Sequence, residues 1–178
     1  MQISQSHLLI DTCCMLNLCA SGQLLNILQV IPAQAAIAQE VKQELLKIEN
    51  VIHFESAIAQ GLLIAVDFES EAEEEAFVNY AANLDDGEAA TGAIAINRGW
   101  AIATDEKKAT NFFSQESRSL KIISTLEIIK YWSEAAKIEQ LTLNYVLREI
   151  QIKGRYMPSK NHSLKNWWQT AIDIHNNQ

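Results

Sequence analysis

Two short apolar runs that each end abruptly at an aspartate constrain this chain more than any other feature. Leu8-Leu9-Ile10 runs into Asp11-Thr12, and Trp100-Ala101-Ile102-Ala103-Thr104 runs into Asp105. Short apolar runs bounded by polar residues read as buried strands. Helix-forming segments separate them, and strands that alternate with helices build a mostly parallel sheet. In open sheets of that kind, sites form outside the carboxyl ends of the strands, which is where both aspartates fall.

The rest of the chain fits the same plan. Residues 13–30 read as helix, interrupted at Ser21-Gly22, and Pro32 breaks the pattern at Ile31. The run AQAAIAQEVKQELLKI, residues 33–48, is rich in helix formers and is predicted to be one helix. Residues 51–60 are ambiguous, and residues 62–66 form a second candidate strand after Gly61. EAEEEAFVNYAANL reads as a helix whose glutamates at 71, 73, 74 and 75 make a solvated, dipole-favoured start. Asp85-Asp86-Gly87-Glu88 opens another helix, closed by Gly99. After the Asp105 strand come a helix to about Phe113, a short strand at Ile122-Ile123, a helix over 126–136, and two further helices separated near Gly154 and Pro158. The expected architecture is a three-layer α/β/α domain with a sheet of four or five strands over residues 1–132. A helical extension over 133–178 is expected to pack on it.

Composition narrows the class. With 48% hydrophobic and 20% charged residues among 178, the chain can bury an ordinary core. No apolar run approaches a bilayer span, and the start lacks a secretory leader's pattern, so a cytoplasmic, non-membrane protein is expected. Cys13, Cys14 and Cys19 form no disulfide framework and no C-x-x-C zinc motif; they read as small residues on a helix. The net charge of −8 is unevenly spread: residues 1–105 hold fifteen acids and three bases, residues 106–178 seven acids and eleven bases. An acidic body with a basic tail is what a metal-centred site and a phosphate-contacting surface would each need, in separate places; an acidic protein with one mixed helix surface is the competing reading.

The candidate chemistry lies in four acids: Asp11, Glu40, Glu88 and Asp105. Converging carboxylates repel unless cations occupy the site, and hard ions such as Mg²⁺ or Mn²⁺ prefer such oxygen donors. A cluster of this kind serves phosphodiester hydrolysis. The chain shows no Ser-His-Asp pattern, P-loop or dinucleotide fingerprint. Asp11-Thr12-Cys13 also lacks the second aspartate, two residues on, of a haloacid-dehalogenase-like phosphatase.

LLIDTCCML resembles the opening of a PIN domain, and LDDGEAATGAIAINRGWAIATDEKKA is similar to that family's second half. The resemblance covers roughly residues 5–130 and points to the branch near VapC-type toxins. It implies a Mg²⁺- or Mn²⁺-dependent ribonuclease acting on RNA, a homodimer, and an antitoxin protein as partner. Asp11, Glu88 and Asp105 would bind metal, and Glu40 would complete the catalytic set. Glu44, one turn further on, is the alternative to Glu40; Asp85 or Asp86 could contribute in place of Glu88, although both are expected to cap the helix. Thr12 and Thr104 would orient the carboxylates. A different class, a catalytically idle PIN-like binding or assembly module, would retain the same acids.

In the tail, Arg148, Lys153 and Arg155 stand near Tyr156, Trp167 and Trp168. Bases interleaved with aromatics suit RNA backbone contacts and stacking; a helix that docks its tryptophans on the core is the competing reading. His162 and His175 have no recurring partner spacing and are expected at the surface.

Overall fold

The structure is a computed structural model, and it describes residues 3–48 and 53–173. In chain order the elements are β1 (His7–Ile10), α1 (Thr12–Ala20), α2 (Leu24–Val30), β2 (Gln34–Ala38), α3 (Gln39–Leu46), α4 (His53–Ala59), β3 (Leu63–Val66), α5 (Glu71–Ala81), α6 (Asp86–Arg98), β4 (Ala101–Ala103), α7 (Lys107–Glu116), β5 (Ile122–Ile123), α8 (Thr125–Ala135), α9 (Gln140–Lys153) and α10 (Lys165–Ile172). The five strands form one sheet, all parallel, in the order β3-β2-β1-β4-β5. The expected α/β architecture with a helical extension is what the chain adopts. No single helix among the described residues is long and apolar enough to cross a membrane.

That strand order decides where a site can form. From β1 the chain steps outward to β2 and β3, then returns across the sheet to β4 beside β1. Right-handed crossovers therefore put the connections of the two halves on opposite faces, leaving a crevice at the carboxyl ends of β1 and β4. The pairing Ile10↔Ala103 fixes the two strand ends level, and Asp11 N–H donates to the Ala103 carbonyl at 3.0 Å.

The sheet is buried almost throughout: Leu8, Leu9, Ile10, Ala36, Ile37, Ala38, Ala101, Ile102 and Ala103 are all fully inaccessible. This explains the one strand that the sequence pattern misassigns. Residues 33–48 are not one helix but β2 followed by α3. The β2 segment, QAAIA, pairs with β1 on one edge and β3 on the other. Buried on both faces, it shows no polar alternation, and tertiary pairing overrides the helix propensity of its alanines.

The glutamate run at the start of α5 is also not uniformly solvated. Glu73 is buried and accepts a bidentate pair from Arg98, Nε to Oε1 at 2.7 Å and an Nη to Oε2 at 2.8 Å. Arg98 also reaches the Asp67 carbonyl at 2.6 Å, so one guanidinium fastens the end of α6 to α5 and to the segment leaving β3. The ambiguous stretch after residue 50 contains α4, and residues 51 and 52 lie outside the described residues.

The extension docks rather than projects. Leu143, Val146, Leu147 and Ile150 of α9 are buried, as is Trp168 of α10, with Tyr156 packed edge-on against it at 5.8 Å between ring centroids. Arg148 donates to Asn144 Oδ1 and to the Ile172 carbonyl, each at 3.0 Å, so it ties α10 to α9. Lys153 pairs with Glu149. Arg155 is exposed. His162 is half-buried rather than at the open surface: its Nδ1 accepts from Leu164 N–H at 3.0 Å and its Nε2 lies 3.1 Å from Ser124 Oγ. His175 lies outside the described residues.

The interior of α6 sets a test of this packing. A Cβ on Gly92 would fall 2.1 Å from Cε1 of the buried Phe113 ring. A Gly92→Ala variant gains helix propensity worth about 1 kcal/mol, but overpacking typically costs about 1–3 kcal/mol. Urea denaturation is expected to give a lower midpoint for the variant; an unchanged or higher midpoint would contradict this packing.

Candidate active site

Asp11 is the residue around which the crevice is built. It leaves β1, caps α1 by accepting Cys13 N–H at 3.1 Å, and takes the Thr104 hydroxyl on Oδ2 at 2.6 Å. The Cys13 thiol reaches the same oxygen at 3.3 Å. Asp11 is nonetheless almost fully buried. Burial raises its pKa more than these hydrogen bonds lower it, and the charge of Asp105 adds to the rise.

Asp11 opens onto a cleft of about 730 Å³ that is also lined by Thr12, Glu44, Asp85, Asp86, Glu88, Glu106 and Lys108. Six of its lining residues are acids and one is a base. Glu88, in the first turn of α6, forms a capping box with Asp85. Its pKa is raised, first by burial and then by the charges of Asp11, Asp85 and Glu106.

Glu44 is the glutamate that α3 delivers to this cleft. Thr12 Oγ1 donates to its Oε2, and Gly87 N–H donates to its Oε1 at 3.1 Å. The two donors come from the α1 and α6 starts, so Glu44 is fixed between the strand-end aspartate and the Gly-Glu turn. The turn needs glycine for a concrete reason: a Cβ at position 87 would lie 2.7 Å from both Glu44 carboxylate oxygens. Glu40 does not line the cleft. It is half-buried in the first turn of α3, its Oε2 is enclosed without a hydrogen-bond partner, and its pKa is raised by burial and then by Asp67, Asp86 and Glu44.

Asp105 turns the other way. Because Ile10 pairs with Ala103, Thr104 stands level with Asp11 and meets it, and the next side chain points to the opposite side. The Asp105 carboxylate accepts Thr125 N–H at 3.0 Å, Thr125 Oγ1 at 2.5 Å, Asn17 Nδ2 at 3.1 Å and the Cys14 thiol at 3.4 Å. It borders a separate hollow of about 420 Å³ with Tyr156 and His162. The four acids named from the sequence are therefore not one equal cluster: Asp11 and Glu88 share the cleft with Glu44, while Glu40 and Asp105 flank it. Glu106 and Lys108 escaped the sequence reading, although their place just after a strand-end aspartate was a signal for them. Asn17 and Thr125 carried no such signal.

A PIN-domain family model matches residues 7–165. The chain belongs to the PIN-domain family. The match runs beyond the 5–130 span of the motif resemblance and takes in α9. No curated protein and no solved structure matches the chain. PIN domains are generally nucleases, so a nucleic-acid hydrolase is the coarse class of this PIN protein. PIN domains typically use divalent metals, and the cleft offers hard carboxylate oxygens, the donor class such ions select; the Asp11 and Glu88 pKa values there are raised first by burial.

Two outcomes follow. Asp11, Glu40 and Glu88 all hold protons to higher pH in the folded protein than in the unfolded chain. Their contribution is fully present below the ordinary carboxylate range and is lost as pH rises through the raised values. Glu73, lowered by Arg98, acts in the opposite sense but is a single group. Metal-free protein is thus expected to show a lower urea midpoint at about pH 7.5 than at about pH 5, with a smaller difference in Asp11→Asn. A midpoint that rises over this range would contradict the assignment. Gly87→Ala should push aside the Glu44 carboxylate, a flexible side-chain end, at little cost in stability. Calorimetry should then find Mn²⁺ affinity weakened by about 10-fold or more, as for loss of a supporting contact.

Proposed function

We propose that this PIN protein is a Mg²⁺- or Mn²⁺-dependent endoribonuclease that hydrolyses RNA phosphodiester bonds at the Asp11–Glu44–Glu88 cleft. The observation that carries the reading is the double anchoring of Glu44 by Thr12 and Gly87, which aims a third carboxylate at the pair already supplied by β1 and α6. Asp11, Glu44 and Glu88 would hold the ion, which when bound supplies Lewis-acid stabilisation of charge on the phosphoryl group.

The chain's own groups do the remainder. Thr104 and Cys13 N–H keep Asp11 in one orientation at the strand end. A cleft carboxylate left free of the ion, Asp86 or Glu106, would take the proton of the attacking water. Lys108 is the base among the cleft residues and offers an ammonium to a backbone phosphate. Arg155 is exposed and available to RNA, whereas Arg148 and Lys153 already hold protein partners.

The partner reading has its own support. On α9, Leu141, Tyr145 and Ile152 are exposed along one face, an amphipathic surface suited to a partner segment. With the VapC-like opening, this favours a toxin held by a cognate antitoxin, or a homodimer, with α9 at the contact.

One observation favours the second reading, an idle binding module: Asp105, which the resemblance makes a metal ligand, turns away from the cleft toward Thr125 and Asn17. Two measurements separate the readings. Asp11→Asn is expected to keep its circular dichroism spectrum and lose Mn²⁺-dependent RNA cleavage by more than the roughly 10–100-fold that loss of a supporting residue costs. Undiminished cleavage by the variant would sink the active-site assignment. Wild-type protein that binds no Mn²⁺ at millimolar metal would favour the idle module.

A further inference from the structure

Between the two strand-end aspartates lies a pair of thiols that the nuclease reading does not use. Cys13 Sγ, Cys14 Sγ and a carboxylate oxygen of Asp105 all lie within 4.8 Å of one another. Cys13 Sγ is also 3.3 Å from Asp11 Oδ2, and Cys14 Sγ is 3.4 Å from Asp105 Oδ2. Each thiol is therefore already at the edge of one carboxylate.

We propose that Cys13, Cys14 and Asp105 form a second metal site, of softer chemistry than the cleft, that takes Zn²⁺ with water in the fourth position. Zinc is four-coordinate and tetrahedral, with Zn–S near 2.3 Å and Zn–O near 2.0 Å, so a neighbouring sulfur and oxygen sit about 3.5 Å apart and two sulfurs about 3.8 Å. The Cys14–Asp105 edge, at 3.4 Å, matches that separation as it stands, and the remaining edges lie within 4.8 Å. Closing the sulfur–sulfur edge asks for a movement of at most about 1 Å.

Asp105 N–H lies 3.5 Å from Cys13 Sγ and donates to it, and Thr125 Oγ1, whose proton goes to Asp105 Oδ2, lies 3.2 Å from Cys14 Sγ. Donors to ligand sulfur are the outer contacts that orient and tune a metal site. Both thiol protons pass to solvent as the ion binds. Access is open from two sides: Cys13 lines the acidic cleft and Asp105 borders the smaller hollow beside Tyr156. Cysteines at adjacent positions show no zinc spacing in the sequence, because the third ligand comes from the end of β4.

The two sites meet at Cys13, whose thiol also reaches Asp11 Oδ2. If the cleft is the nuclease centre, zinc bound here takes that thiol contact from its first carboxylate, so a thiophilic ion lowers the cleavage that Mg²⁺ or Mn²⁺ supports. That consequence rests on the proposed function; the metal site does not.

Co²⁺ titration of the full chain under reducing conditions tests the site without any substrate. One equivalent is expected to produce a thiolate-to-cobalt charge-transfer band and tetrahedral visible bands, both erased by one equivalent of Zn²⁺. Cys13→Ser and Cys14→Ala should lose the band, and Cys19→Ser, altered elsewhere on the same helix, should keep it. Cys13 is half-buried, so its variant keeps the test decisive if the buried Cys14 change impairs folding. Absence of the band in wild-type protein overturns the proposal, as does its persistence in folded Cys13→Ser. A failure of every metal to support RNA cleavage would sink the nuclease reading and leave the cobalt result as it stands.

Discussion

The level pairing of β1 with β4 is the constraint from which the site follows. The chain runs outward from β1, returns to β4, and leaves a crevice at their carboxyl ends. The register Ile10↔Ala103 then sets Thr104 against Asp11 and sends Asp105 to the other side. One residue of slip in this pairing would exchange those directions, putting Asp105 toward the cleft and breaking the hydroxyl contact that orients Asp11. Thr104 N–H donating to the Ile123 carbonyl carries the same register into β5, and from there to Thr125 at the head of α8. The acids are thus positioned by backbone ladders buried in the core, not by loops.

That arrangement has an electrostatic cost. Six carboxylates line one cleft with a single lysine among them, and burial raises the proton affinity of the two that matter most, Asp11 and Glu88. Crowded acids of this sort weaken a fold unless something compensates. The compensation is distributed. Arg98 and Glu73 lock α5 to α6 from outside the site, and the ring of Phe113 fills the space that Gly92 leaves on α6. A cation in the cleft would remove the remaining penalty, which makes metal affinity and fold stability two readings of one quantity.

How far the sequence could be read depended on whether a feature was local. Strand-end aspartates are local: an apolar run that stops at Asp can be seen without knowing its neighbours, and so can the Gly-Glu helix start. β2 was not legible, because its alanines favour helix in isolation and become strand only between β1 and β3. The preference for Glu40 over Glu44 rests on counting along one helix from Pro32. With α3 beginning only at Gln39, Glu40 falls in the first turn and Glu44 one turn later, within reach of Thr12 and Gly87. Glu73, Asn17 and Thr125 were beyond local reading altogether, since each acquires its role from a partner at least 20 residues away.

The split of Asp11 from Asp105 also bears on what kind of ion each side of the crevice prefers. On the cleft side the donors are mainly carboxylates, a set that favours small hard cations which retain water. Between the aspartates Cys13, Cys14 and Asp105 offer two sulfurs and one carboxylate, a softer set of the kind zinc takes. Cys13 touches both sides, because it lines the cleft and its thiol also reaches Asp11 Oδ2. An ion drawn to the sulfurs therefore alters the contacts of the first cleft carboxylate without any moving part, since both aspartates are held in place by the β1–β4 pairing.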